Sequence, residues 1–104
     1  MAATPEGRVK GKIRTRLKEW VAAGYPLWWF WPQAGPFGRA GVPDLVMCVG
    51  GHFLAVEVKA PGGKPTVLQG TVIDAILVAG GEAVCVDSVE AFNSVCQKYL
   101  EQTR

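Results

Sequence analysis

The chain is poor in the residues that most often declare a chemistry. It has one histidine, His52, which excludes any multi-histidine metal site and is expected to face solvent beside a turn. Its cysteines, Cys48, Cys85 and Cys96, are odd in number, sit in apolar contexts and lack CxxC-type spacing. Neither a disulfide framework nor a zinc site is suggested, and all three are expected as small buried hydrophobes in a reducing compartment. Charged residues make up 19% of the chain, yet 49% is apolar, so the composition is that of a globular protein and not of a disordered tail. No apolar run reaches the length of a membrane span and no basic-then-apolar leader begins the chain, so a cytoplasmic protein with no membrane partner is expected. Repeats and low-complexity tracts are missing, and 104 residues suffice for one domain, 1–104, with a modest core.

The net charge of +2 is not spread evenly. Arg8, Lys10, Lys12, Arg14, Arg16 and Lys18 are six of the 11 basic residues, all in one short segment. That segment opens with Thr4-Pro5-Glu6, a helix start with a threonine cap, proline at the first helical position and an acid in the first turn. At about 100° per residue, Val9, Ile13, Leu17, Trp20 and Val21 fall on one stripe and the basic residues around the rest. With only Glu6 and Glu19 to offset them, Arg8, Lys10, Lys12, Arg14 and Arg16 are candidates for contact with nucleic-acid phosphates. The plainer reading is the solvated face of an amphipathic helix. Glu6 lands on the apolar stripe, where either a nearby metal or its water shell, or a frayed, solvated helix end, would accommodate it.

Ala23-Gly24 ends this helix, and Tyr25-Pro26 leads into an aromatic strand, Leu27 to Trp31. Its rings point to both faces, so both faces of the sheet should be covered, with core packing as the default role of the aromatics. A loop from Gln33 to Val42, carrying Gly35, Pro36 and Arg39, follows; Arg39 is a candidate phosphate contact.

The stretch from Gly41 to Lys59 organises the rest. It reads as two short apolar strands joined by Gly50-Gly51, with Asp44 opening the first and Glu57 and Lys59 closing the second. Pairing through the Gly-Gly turn brings the start of the first strand beside the end of the second, so the three ionisable groups meet at one end of a hairpin. Two adjacent carboxylates repel unless neutralised, and a hard divalent cation does this well; Mg²⁺ commonly takes one or two carboxylates and keeps several waters. A lysine beside such an ion could orient an attacking water and stabilise charge on a phosphate. This is the chemistry of metal-assisted phosphodiester hydrolysis. A bare Asp…Glu-x-Lys also fits an edge hairpin with a solvated Glu-Lys pair.

Beyond Lys59, Ala60-Pro61-Gly62-Gly63-Lys64-Pro65 cannot continue a strand; Lys64 is a further candidate phosphate contact. Thr66 and Gln69 form a capping box for a helix from Val67 to about Val78. Leu68, Val72, Ala75, Ile76 and Ala79 line one side of it, while Val67, Ile73, Leu77 and Val78 carry apolar surface past half the circumference. One small core cannot cover that much, which points to a subunit interface. Ala83 to Asp87 reads as a last strand, parallel to its neighbour if the helix is a crossover. Ser88 begins a terminal helix through about Leu100, with Val89, Phe92, Val95, Cys96 and Tyr99 as its buried stripe. The fold class is therefore α/β, a mixed sheet flanked by helices in the order αβββαβα.

Pro43-Asp44, twelve residues, then Glu57-Val58-Lys59 resembles the PD-(D/E)xK nuclease signature, and Gly-Val-Pro-Asp, Glu-Val-Lys-Ala-Pro-Gly-Gly and Gln69 together resemble the VRR-NUC family. The resemblance runs from Glu6 to the last strand. It implies a restriction-endonuclease-like core and a Mg²⁺- or Mn²⁺-dependent DNA endonuclease. Asp44, Glu57 and the carbonyl of Val58 would bind the metal, Glu6 would complete the site or hold a second ion, Lys59 would assist the water and Gln69 would help position the reacting groups. Family members are associated with branched or flapped DNA. A homodimer resolving four-way junctions is the preferred expectation, with a flap or other nuclease of the same fold, a non-catalytic nucleic-acid-binding module, or an interaction subunit docking through its apolar helix as alternatives.

Overall fold

The computed structural model describes residues 3–33 and 38–102; Gly35 and Pro36 of the expected loop lie outside them. Helix α1 spans Pro5–Ala22, capped by Thr4, whose Oγ1 accepts the Gly7 N–H at 2.9 Å. Strands β1 (Leu27–Phe30), β2 (Leu45–Val49) and β3 (His52–Val58) follow, then helix α2 (Val67–Val78), strand β4 (Glu82–Val86) and helix α3 (Val89–Gln102). The element order is the expected one. The boundaries of α2 coincide with those read from the capping box, whose two reciprocal hydrogen bonds between Thr66 and Gln69 both form.

The sheet order is β1-β2-β3-β4. β1 with β2 and β2 with β3 run antiparallel, and β3 with β4 runs parallel, with α2 as the crossover. Gly50 (φ 57°) and Gly51 (φ 83°) make the two-residue turn with both central residues left-handed, the conformation that matches strand twist and that side chains resist.

One face of the sheet carries the core. Leu45, Met47 and Val49 of β2 and Leu54, Val56 and Val58 of β3 are buried there against Val9, Ile13, Leu17 and Trp20 of α1 and Phe92, Cys96 and Leu100 of α3. Fully burying side chains such as Ile13, Leu17 and Phe92 is worth about 1.5–3 kcal/mol each. Val21, expected on the α1 stripe, is exposed, because it lies at the stripe's edge in the last turn. Leu100 of α3 was not in the expected stripe and is buried.

The opposite face differs from expectation. Trp28 is 59% exposed, and Phe30 and Phe53 are also exposed on this side. Alternation along β1 turns Leu27 and Trp29 toward the core and Trp28 and Phe30 away from it. The helix on this side, α2, packs chiefly beside β4 and leaves the β1 edge uncovered. None of its residues is buried. Its expected inner stripe, Leu68, Val72, Ala75, Ile76 and Ala79, lines an apolar groove of about 510 Å³ with Val46, Phe53 and Ala55. Cys48 is likewise exposed, against the expectation of burial, while Cys96 is in the core and Cys85 lies between.

Candidate active site

The antiparallel register Leu45↔Val56 carries Asp44, one residue before β2, to the level of Glu57. Pro43 is buried and anchors the preceding loop. At Gly41 (φ 79°) the same loop passes so close to α2 that an added Cβ would meet Leu68 Cγ at 2.8 Å; the glycine of Gly-Val-Pro-Asp thus fits a close approach as well as a backbone preference. The Asp44 Oδ2 accepts the Val58 N–H at 2.8 Å, which ties the acid across to β3.

Glu57 is the one buried charged residue among the described residues, 3% exposed. Its Oε2 lies 3.3 Å from Lys59 Nζ, and its Oε1 is buried without a hydrogen-bond partner. Burial, and secondarily the Asp44 charge, push its carboxyl up to about 7, against the opposing pull of Lys59. The neighbouring strand pairs Cys85 with Glu57, and burial followed by the Glu57 charge raises that thiol as well. Lys59 continues the parallel pairing through its own N–H to Val86 O at 2.9 Å. The loop after it is tied down by the Gly62 N–H, which donates to Asp87 Oδ2 at 2.9 Å.

Glu6 reaches this cluster through a neighbour. Lys10, one helical turn later, places Nζ 3.1 Å from Glu6 Oε2 and 3.4 Å from Asp44 Oδ1. Burial alone would lower the Lys10 pKa; the hydrogen bond to Glu6 and the charges of Asp44 and Glu6 outweigh it and raise it. Among the described residues, no three His, Cys, Asp or Glu side chains converge on a point that could hold a metal. Asp44 and Glu57 nevertheless suit a hard divalent cation: they are adjacent carboxylates, and the Oε1 of Glu57 is buried without a donor from the chain.

A cavity of about 300 Å³ brings Asp44 together with Arg39, Gln69, Gln33 and the loop 38–43. Arg39 and Gln69 thus share a space with the acid. The side-chain oxygen of Gln69 accepts the Thr66 N–H, and its amide nitrogen is the group that could donate to a bound molecule. Lys64 is exposed on the loop after β3.

The basic residues of α1 divide. Lys10 reaches the cluster, and one turn later the Arg14 guanidinium lies 4.4 Å from the centre of the Trp31 ring. Arg8, Lys12 and Arg16 line a separate shallow groove of about 520 Å³ with Thr15, Glu19 and Val89. Arg16 is engaged by Glu19 at 3.4 Å and lies over Trp20, and Arg8 donates to Ala3 O. Of the bridging position of Lys10 the sequence carries only half of the signal, its spacing of four from Glu6. The other half, the approach to Asp44, comes only from how α1 docks.

Compared with protein-family models, with curated proteins and with solved structures, the chain matches none.

Proposed function

We propose that this protein is a metal-dependent DNA endonuclease with a restriction-endonuclease-like core of the VRR-NUC kind. The observation that carries the reading is Glu57, a buried carboxylate with a free oxygen, set between Asp44 and Lys59 at the end of a hairpin. A carboxylate held at this cost to its ionised form is characteristic of a working site. Asp44 and Glu57 would hold Mg²⁺ or Mn²⁺, with the Val58 carbonyl as a further oxygen donor. The bound ion supplies a polarised phosphoryl oxygen and a more acidic water. Lys59 would orient an attacking water and stabilise charge that develops on the phosphate. Arg39 and Gln69 steady the nucleotide beside Asp44, and Arg14 and Lys64 contribute phosphate contacts without sequence preference. Glu6 supports the site through Lys10, a more indirect part than that of a ligand.

The functional unit in this reading is a homodimer formed through the outer face of the sheet and α2. Val67 and Val78 are 90% and 89% exposed, and Leu68, Leu77, Trp28, Phe30 and Phe53 extend the apolar surface. At roughly 100 Å² for each of these seven residues, the exposed apolar area sums to on the order of 700 Å². Joined into one surface by a second copy, that area would approach the ~800 Å² one partner contributes to a standard interface. The α2 segment has a single ionisable residue, Asp74, so this face suits a second copy better than a polyanion. Two active sites related by a twofold axis suit symmetric nicking of a four-way junction, the preferred substrate.

The direct test incubates the protein with a labelled four-way junction, a flap and plain duplex, with Mg²⁺, with Mn²⁺ and with chelator. Metal-dependent cleavage is expected, reduced at least about 100-fold in Asp44→Ala and in Lys59→Ala with the fold retained. Binding without cleavage in either metal, unchanged by both substitutions, would leave a nucleic-acid-binding module instead. For the dimer, light scattering is expected to give twice the chain mass for the native protein and the monomer mass for Val78→Lys combined with Leu68→Asp.

A further inference from the structure

We propose that Lys10 is an internal competitor for the candidate metal site: its ammonium holds the Asp44 carboxylate when no divalent ion is bound and leaves it when one binds. The inference rests on the reading that Asp44 and Glu57 hold Mg²⁺ or Mn²⁺, and adds a residue that sets how tightly they do so.

Both oxygens of Asp44 are already engaged. Oδ2 accepts the Val58 N–H at 2.8 Å, a backbone contact that a side-chain exchange does not replace. Oδ1 faces Lys10 Nζ at 3.4 Å, so the oxygen open to exchange is the one the ammonium holds. Glu57 has the opposite arrangement: Lys59 takes Oε2 at 3.3 Å, and Oε1 has no partner. A cation that arrives at Oε1 of Glu57 and shares Asp44 meets a carboxylate whose Oδ1 already has a second positive charge beside it. Two cations a few ångströms apart at a half-buried position repel with little screening.

The geometry also supplies a place for Lys10 to go. Its Nζ is 3.1 Å from Glu6 Oε2, one helical turn away on the same α1 flank. The four-carbon stem of lysine allows the ammonium to move away from Asp44 while staying on Glu6, a movement the rigid guanidinium fork makes less readily. Glu6 thereby acts as the anchor that retains the displaced ammonium. This gives the first-helix acid a part in the site although no three-acid cluster forms among the described residues. A purely structural ion pair that docks α1 would predict something different: removing Lys10 would loosen Asp44 and weaken metal binding.

Calorimetric titration of Mn²⁺ into the full chain without DNA separates the two, using native protein, Lys10→Gln, Lys10→Arg and Asp44→Asn. Lys10→Gln is expected to bind Mn²⁺ about 5- to 30-fold more tightly than the native chain, the scale of coupling between two ligands that share one group. Lys10→Arg, which keeps the charge, is expected to bind no more tightly than the native chain, and Asp44→Asn is expected to lose most of the affinity. Equal or weaker binding by Lys10→Gln, with binding still lost in Asp44→Asn, overturns the role of Lys10 and leaves the metal site standing. If neither the native chain nor Lys10→Gln binds Mn²⁺, the metal reading and this inference fail together. A measurement on the native sequence makes the test independent of how the variant folds. With lysines carrying ¹³C-methyl labels, saturating Mg²⁺ is expected to shift the Lys10 resonance, and an unmoved Lys10 resonance in a chain that binds Mg²⁺ overturns the proposal.

Discussion

The two faces of the single sheet begin from similar apolar sequences and end in opposite states. On the inner face Leu45, Met47, Val49, Leu54, Val56 and Val58 vanish beneath α1 and α3. On the outer face Trp28, Phe30, Cys48 and Phe53 remain exposed beside α2. The strands do not account for the difference, since alternation presents an apolar row on each side. The helices do. The inner face receives an 18-residue and a 14-residue helix whose apolar stripes meet it. The outer face receives one 12-residue helix that lies toward β4 and is itself apolar on its solvent side. A sheet face is therefore core only where enough helix is laid on it, and what is left here is an exposed apolar surface.

The contrast can be broken most sharply at the cysteines. At protein concentrations low enough to keep the chain monomeric, Cys48 should react with a thiol reagent on the order of 1,000-fold faster than Cys96, because the latter is reached only through large-scale unfolding. Burial also pushes the Cys96 thiol up to about 12, which suppresses its thiolate in the folded state. Comparable labelling rates, followed residue by residue by mass spectrometry, would mean that the two faces are not distinguished as described.

A second contrast uses one residue type on both sides. Phe92→Ala removes a fully buried ring that packs 5.9 Å from Trp20, and is expected to cost about 3–5 kcal/mol in urea unfolding. Phe53→Ala, on the outer face, is expected to cost the dilute monomer less than about 1 kcal/mol. A large loss at Phe53 in the monomer would show that the outer face contributes to the fold itself.

The smallest effect lies where the faces meet, at the strand ends that carry the acids. The Glu57 carboxyl is raised from 4.5 to about 7, so between these values the folded chain holds more protons than the unfolded one. Without metal, its contribution to stability is present at low pH, falls as pH rises through this window and is flat above it. Glu57→Gln removes that dependence. With chelator present it is expected to stabilise the protein by about 1–3 kcal/mol at pH 8 and by much less at pH 5. A variant that is less stable than the native chain at pH 8 would show that the Glu57-Lys59 pair holds the fold together, contrary to a site maintained against a stability cost.

Local chemistry made much of this legible. Capping residues defined where α1 and α2 begin, Gly50-Gly51 defined the hairpin register, and that register alone brings Asp44 level with Glu57. The aromatic strand was read less well. A strand shows that its rings point both ways but says nothing about which helix covers which side, so Trp28 and Cys48 were expected to be buried and are not. The position of Lys10 is hidden for a related reason: its spacing from Glu6 is local, but its distance from Asp44 depends on the docking of α1.

What the sequence determined by itself, then, is whatever depends on neighbours along the chain: the elements, their caps, the turn and the alternation of side chains across each strand. Tertiary structure alone decided that Glu57 is buried with an unpartnered oxygen, that Lys10 lies between two acids, and that one sheet face is core and the other is open. Those outcomes depend on how the helices pack, and packing sums many weak contacts between residues far apart in the chain, which no local pattern encodes.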